Sequence, residues 1–328
     1  PEIPIIALTA TADKITRRDI IHQLRLPQPE VFLASFDRPN LSLEVRPAQG
    51  RFRQILDFLA ERPKQAGIIY CLSRKSTENL AAKLLAKGVK AMPYHAKLAP
   101  RIRSKVQEDF INDRVPVICA TVAFGMGIDK SNVRWVIHYN LPKNIESYYQ
   151  EIGRSGRDGA PADTLLFYSY GDVMLLHDIL SQNESEVLEV KLEKLKRMQQ
   201  YAEAALCRRK MLLNYFGEDY PEQGCGNCDV CKDPPEYVDG TVAAQKALSA
   251  VYRLKQQVGL NMLVDVLRGS GRREIMERGY NQIKTFGLGR DLSSAAWRQY
   301  LVQLVNLGLL EVAYDQGNVL KLTPASER

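Results

Sequence analysis

The chain has 328 residues, 45% of them hydrophobic and 25% charged, and carries a formal net charge of +7. That length suits two or three domains rather than one, and no stretch approaches the roughly 18 consecutive apolar residues that span a bilayer, which excludes a helical membrane protein. The positive charge permits attraction to nucleic acid or to an anionic surface and by itself chooses neither. The first residues, from Pro1 to Ile6, lack a basic segment, an apolar run and a small-residue cleavage site, so no secretory signal is read, and the missing initiator Met is expected of a fragment or processed product.

In chain order, Ile5 to Leu8 reads as a strand and Ala12 to Leu24 as a helix, broken by Pro27 and Pro29. Two elements cannot bury a core. From residue 66 short apolar runs alternate with helical patterns: Gly67 to Cys71, Lys75 to Lys87, the run ending at Tyr94, Pro100 to Asn112, Val115 to Ala120, Arg134 to Tyr139, Asn144 to Glu151 and Asp163 to Tyr168. Strands apolar throughout, alternating with helices, are the pattern of a parallel sheet covered on both faces, so this block predicts a doubly wound α/β domain.

Glu184 to Tyr215 is helical in pattern and free of Pro and Gly, with Cys207 expected to project from that helix into the Gly/Cys-rich segment Gly224 to Cys231. Cys225, Cys228 and Cys231 follow as C-x2-C-x2-C around Gly226 and Asn227. Four thiolates at about 2.3 Å close a tetrahedral shell around Zn2+, leaving no open position for catalysis. An iron–sulfur cluster and free or disulfide-bonded cysteines are the competing readings. Cys71 and Cys119 lie inside apolar strands and read as small buried hydrophobes.

Asp233-Pro234-Pro235 punctuates the chain. Helical patterns follow at Val242 to Val258, Met262 to Arg268, Arg273 to Phe286 and Ser293 to Leu307, then two strands, Leu309 to Tyr314 and Val319 to Leu322, flanking the turn Asp315-Gln316-Gly317-Asn318. Helices ending in a hairpin predict a winged helix. Between Arg268 and Arg290 six cations (Arg268, Arg272, Arg273, Arg278, Lys284, Arg290) face two anions, Glu274 and Glu277. Phosphate neutralisation is the main sequence-independent part of DNA affinity, which makes this segment the candidate duplex contact, a solvated helix face being the plain alternative. The hairpin tip is polar, so no aromatic strand-separating pin is expected there. Trp135 and Trp297 sit on apolar faces and read as core.

Residues 147–159 read Ser-Tyr-Tyr-Gln-Glu-Ile-Gly-Arg-Ser-Gly-Arg-Asp-Gly. Arg154 and Arg157, three apart among small residues at a helix end, can converge on one anion, and a planar guanidinium suits polyphosphate. A Gly-rich block, Ala120 to Lys130, follows an apolar strand, where parallel sheets bind ligands.

These stretches resemble motifs V and VI of superfamily 2 helicases, and the RecQ family in particular. Thr9-Ala10-Thr11-Ala12 is similar to that family's motif III, Phe36-Asp37-Arg38-Pro39-Asn40 to the start of its second lobe, and Ile69-Tyr70-Cys71-Leu72-Ser73-Arg74 to motif IV. Tyr94-His95-Ala96-Lys97-Leu98 matches the next segment, with Lys97 where glycine is commoner. The resemblance runs on through Cys207-Arg208-Arg209 and Asn214-Tyr215-Phe216-Gly217 to the cysteine cluster.

The resemblance implies a remnant of a first RecA-like lobe (1–34), a second RecA-like motor lobe (35–170), a helical zinc-binding domain (171–233) and a winged-helix domain (234–328). It implies an ATP-dependent DNA helicase moving 3′ to 5′ in recombination and repair, using ATP, Mg2+ and structural zinc. Arg157 is then the candidate arginine finger, Arg154 its companion on the phosphates, and Gln150 and Asp129 lesser candidates at the nucleotide cleft. Ser73, Arg74, His95 and Thr121 are expected on the single-strand backbone, and Arg272, Arg273, Lys284 and Arg290 on the duplex; a packed neutral histidine is the other reading of His95. A bacterial cytoplasmic, nucleoid-associated monomer is implied, with DNA and a single-strand-binding protein as partners. Neither the G-x-x-x-x-G-K-[ST] loop nor a Walker-B acidic pair occurs in the sequence, so the chain alone is not expected to hydrolyse ATP. A non-enzymatic DNA-binding module and an RNA helicase are the rival functions.

Overall fold

Six strands, β1 (Leu41–Pro47), β2 (Ala66–Tyr70), β3 (Ala91–Tyr94), β4 (Val117–Ala120), β5 (Val133–His138) and β6 (Ala162–Tyr168), form one all-parallel sheet in the order β1-β6-β5-β2-β4-β3. The structure is a computed structural model and describes residues 3–12, 14–26, 28–122, 124, 129–182, 188–235, 239–313 and 316–327. Every residue of β2 and β4 is buried, because helices cover both faces. One face carries α2 (Arg51–Ala60) and α3 (Arg74–Ala86), packed through Ile55, Phe58, Leu80 and Leu84 onto Ile69, Trp135 and Phe167. The opposite face carries α4 (Pro100–Ile111) and α5 (Ile145–Ile152).

That second face is also where the helices flanking Cys207 rest. α7 (Leu188–Glu203) and α8 (Arg208–Tyr215) contribute Met198, Tyr201, Leu212 and neighbouring Phe216 to the same core as Ile68, Val136 and Tyr148. The cysteine module is thus built onto the parallel sheet. The last region has its own core of α10 (Thr241–Arg253), α11 (Leu260–Leu267), α12 (Arg273–Glu277) and α13 (Ser294–Asn306), closed by the antiparallel hairpin of β7 (Leu310–Ala313) and β8 (Val319–Leu322).

Several expectations are corrected. Ile5 to Leu8 forms no strand: Ile6 and Leu8 are 82% and 91% exposed, since no neighbouring strand completes a ladder, whereas α1 (Lys14–Gln23) does form. The single helix read over Glu184 to Tyr215 divides after Glu203, and Cys207 caps the start of α8 instead of projecting from the preceding helix. The helix read over Arg273 to Phe286 stops at Glu277, where Gly279 turns the chain at φ 69°, followed by a 3-10 turn at Tyr280–Gln282. β1, α2 and α6 (Tyr170–Ser181) lie where no element was read. Tyr314 and Asp315, part of the expected hairpin, lie outside the described residues.

Trp135 and Trp297 are fully buried. Trp135 occupies the space a side chain at position 67 would need: a Cβ on Gly67 would lie 2.0 Å from its ring. The Trp297 indole donates to the Gly289 carbonyl at 2.7 Å.

Candidate zinc, nucleotide and nucleic-acid sites

Cys207 begins α8, Cys228 begins the short α9 (Asp229–Lys232), and Cys231 lies within α9. With Cys225 their sulfurs all lie within 4.8 Å of one another. Tetrahedral Zn–S bonds of about 2.3 Å put sulfurs about 3.8 Å apart, so the cluster needs only to contract onto an ion. It is too close-set to enclose an iron–sulfur cube, whose thiolates stand off its corners. None of the six cysteines forms a disulfide.

Local chemistry matches. Hydrogen bonds from the Cys207 and Cys228 thiols lower the Cys225 thiol below its ordinary range. Gly226, at φ 63°, turns the chain between two ligands, and a Cβ on Gly224 would sit 2.9 Å from the Cys231 sulfur. Cys71 and Cys119 are of the other kind: burial pushes Cys71 up to about 12 and Cys119 well upward, which keeps both protonated and inert.

The arginine pair does not ride on α5. That helix starts at the Asn144 cap and ends at Ile152, and Arg154 and Arg157 lie in the turn beyond it. The Arg157 guanidinium is 3.5 Å from the Asp129 carboxylate, and the Arg154 guanidinium lies against the buried Tyr70 hydroxyl, which donates to the Phe124 carbonyl at 3.1 Å. Asp129, expected beside nucleotide, is here the counter-ion of Arg157. Gln150 donates to the Thr11 hydroxyl at 2.5 Å, which joins the two segments matched to motifs III and VI. Ala123 and the glycine stretch Gly125 to Ile128 lie outside the described residues.

Four residues hold this turn that sequence reasoning gave no role. Arg38 Nη2 donates to the Ser155 and Gly156 carbonyls at 3.1 and 3.0 Å, and Asn40 Nδ2 donates to the Gly156 and Ala160 carbonyls, both at 2.9 Å. Beneath the turn, buried Glu151 and His138 pair at 2.7 Å. Acceptor carbonyls have no sequence signature; only the Asp-Arg-Pro-Asn stretch itself could have pointed there.

Ser73, Arg74, His95 and Thr121 come together at the carboxyl ends of three adjacent strands, β2, β3 and β4. Ser73 caps α3, its hydroxyl accepting from Ser76 N at 3.1 Å, and it and Arg74 are exposed. Thr121 N donates to the Tyr94 carbonyl at 3.1 Å. His95 is 3% exposed and its Nε2 lies 2.9 Å from Glu78, the packed arrangement that competed with a backbone contact.

On the winged helix the cation excess is smaller than the count suggests. Arg272 pairs with Asp265 at 2.5 Å and Glu274 at 3.6 Å, Arg273 with Glu277 at 2.6 Å, and Arg278 with Glu274 at 3.0 Å. Lys284 and Arg290 are exposed and meet no carboxylate among the described residues. No described helix is long and apolar enough to cross a membrane.

Three family models match in order: the helicase conserved C-terminal domain over residues 50–159, the RecQ zinc-binding domain over 170–232 and the RQC domain over 234–328. A protein of Pasteurella multocida named ATP-dependent DNA helicase RecQ is 44% identical over 98% of this chain and 51% of its own length. Its namesake in Haemophilus influenzae is 43% identical over 100% of this chain and 53% of its own. A protein of Acanthamoeba polyphaga mimivirus, provisionally named an ATP-dependent RNA helicase, is 39% identical over 95% of this chain and 59% of its own. The chain thus spans about half the length of the two RecQ relatives and carries the C-terminal helicase domain without the Walker motifs. With its sheet, four-cysteine zinc site and winged helix in this order, the chain belongs to the RecQ family of helicases.

Proposed function

We propose that this chain is the second motor lobe, zinc-binding domain and duplex-binding domain of a helicase that uses ATP and Mg2+ to move 3′ to 5′ on DNA in recombination and repair. The observation that carries the reading is the arginine turn: two guanidiniums, Arg154 and Arg157, on a backbone held by at least four side-chain hydrogen bonds. A preorganised cation at the developing γ-phosphate charge is worth orders of magnitude in hydrolysis rate.

In this reading Arg157 exchanges Asp129 for the γ-phosphate, Arg154 holds its neighbour, and Gln150 stays at the edge of the cleft. ATP and Mg2+ would be held mainly by a first lobe that supplies the phosphate loop and acidic pair. The strand ends with Ser73, Arg74 and Thr121 face the single strand, with His95 behind them. Arg272, Arg273, Lys284 and Arg290 meet the duplex. The domain limits are 35–170, 171–233 and 234–328 after a first-lobe remnant at 1–34. The protein works as a monomer in the bacterial cytoplasm at the nucleoid, alongside a single-strand-binding protein.

The test is ATP turnover by this chain with a 3′-tailed duplex, before and after adding a first lobe. Turnover only with the added lobe, falling by about a thousandfold in Arg157→Ala, is the expected result; turnover by the chain alone would place the nucleotide elsewhere. RNA as substrate is the second reading, favoured by the name of the mimivirus relative. Stimulation by single-stranded RNA equal to that by DNA would support it.

A further inference from the structure

Residues 35–43 run as a strap between the zinc loop and the arginine turn and bond to both. Toward the zinc loop, Asp37 pairs with Arg209 at 2.5 Å, the Pro39 and Leu41 carbonyls accept from Asn227 Nδ2 at 3.4 and 3.2 Å, and Leu43 N donates to the Asn227 carbonyl at 3.2 Å. Phe36 stacks on Phe216 with ring centroids 4.4 Å apart and planes 5° from parallel, while Glu218 accepts from Ser35 and from Phe36 N at 2.6 and 2.8 Å. Asn227 lies between the ligands Cys225 and Cys228, so this half of the strap is tied to the ion's own loop.

Toward the arginines, Arg38 holds the two carbonyls that lie between Arg154 and Arg157, and Asn40 holds one of them again. The Tyr149 hydroxyl donates to the Phe36 carbonyl at 2.7 Å. Gly156 has φ 58°, and a Cβ there would lie 2.4 Å from Asn40 Nδ2, so the turn is shaped around the strap. Its amide donates to the Val133 carbonyl at 2.9 Å, closing the turn on the sheet. Arg38 meets no carboxylate among the described residues, so its charge is directed at these carbonyl dipoles.

We infer that Arg38 is a positioning residue for ATP hydrolysis: with Asn40 it sets the backbone between the two arginines, and the zinc loop fixes the strap from which Arg38 reaches. The inference rests on the hydrolysis reading above. A displacement of about 1 Å at a group acting on a transition state costs up to about a hundredfold in rate, so a carbonyl clamp one residue from each arginine has leverage that burial alone does not give. A planar guanidinium spans two carbonyls in a fixed geometry that an ammonium on a flexible stem reproduces only in part.

The experiment uses the complete helicase with both lobes, comparing wild type, Arg38→Gln and Arg38→Lys at saturating DNA. In Arg38→Gln, kcat should fall by about tenfold or more while KM for ATP, DNA affinity and melting temperature hold, and Arg38→Lys should recover part of the loss. Combined with Arg157→Ala, Arg38→Gln should add no further loss, because it acts through that arginine. In this chain alone, hydrogen exchange at the Gly156 and Arg157 amides should quicken in Arg38→Gln with the β2 and β5 amides unchanged, and on chelating zinc it should quicken there by more than at those sheet amides. If wild type shows no turnover, the hydrolysis reading fails and the exchange data still judge the clamp. Unchanged kcat and exchange in Arg38→Gln, or a parallel fall of kcat, DNA affinity and melting temperature, would overturn the inference.

Discussion

Gly67 and Trp135 show how a single side chain, or the lack of one, fixes a packing arrangement. The indole lies where a Cβ at position 67 would stand, on strands that neighbour one another in the middle of the sheet. Overpacking a filled core costs roughly 1–3 kcal/mol, and Gly67→Ala should fall at or above the top of that range, read as a lower urea midpoint at unchanged slope. An unchanged midpoint would mean that the ring shifts freely. At this scale the sequence was informative about charge and silent about carbonyls. Arg154 and Arg157 could be named because two guanidiniums among glycines are a rare pattern, and the cysteines because ligand spacing is geometric. Arg38 and Asn40 could not be given a role, since what they bind are backbone oxygens more than 110 residues away. His95 left two readings open in the sequence, a backbone contact or a packed histidine, and the fold places it against Glu78 at 3% exposure.

Among the elements, α8 and α9 both begin at zinc ligands, so the ion sets the first turn of each. Ligand binding of this kind is folding free energy. Stripping zinc with a chelator should therefore lower the melting transition of the sheet and zinc helices, which share one core, and leave the winged-helix transition in place. Calorimetry resolves the two, and an unchanged thermogram would remove the ion from the stability of the fold. Elements were legible where burial was two-sided: β2 and β4 are apolar at nearly every position because both faces are covered. β1 was not, because it is an edge strand in which Leu41 and Leu43 alternate with half-buried residues and the rest resembles a loop. Helix ends were missed for a local reason: nothing between Glu184 and Tyr215 breaks a helix by composition, yet the chain must leave it to bring Cys207 to the other ligands.

For the whole molecule, net charge of +7 says less than where the cations stand. Each phosphate neutralised releases counterions, so the slope of log affinity against log salt counts the contacts. Lys284→Ala should reduce that slope for duplex DNA by about one. Arg272→Ala should change it less, since Asp265 and Glu274 already screen that guanidinium. Equal effects at both positions would show that the ion pairs give way on binding.

The winged helix meets the rest of the chain through contacts of another kind from those inside either core. Arg197 reaches Asn306 at 3.0 Å, Asn214 reaches the Asn306 carbonyl at 3.1 Å, and Asn318 reaches Glu189 at 2.9 Å, beside a cavity of about 600 Å3 lined by Arg197, Asn214 and Leu310. A hydrogen bond contributes about 1 kcal/mol net, somewhat more where, as at Arg197, the donor is charged, whereas prising apart an apolar core exposes every buried methylene at once. The seam is therefore expected to be the compliant joint of the molecule: under load from a taut duplex it should yield before either core does, like a wrist between a rigid forearm and a rigid hand.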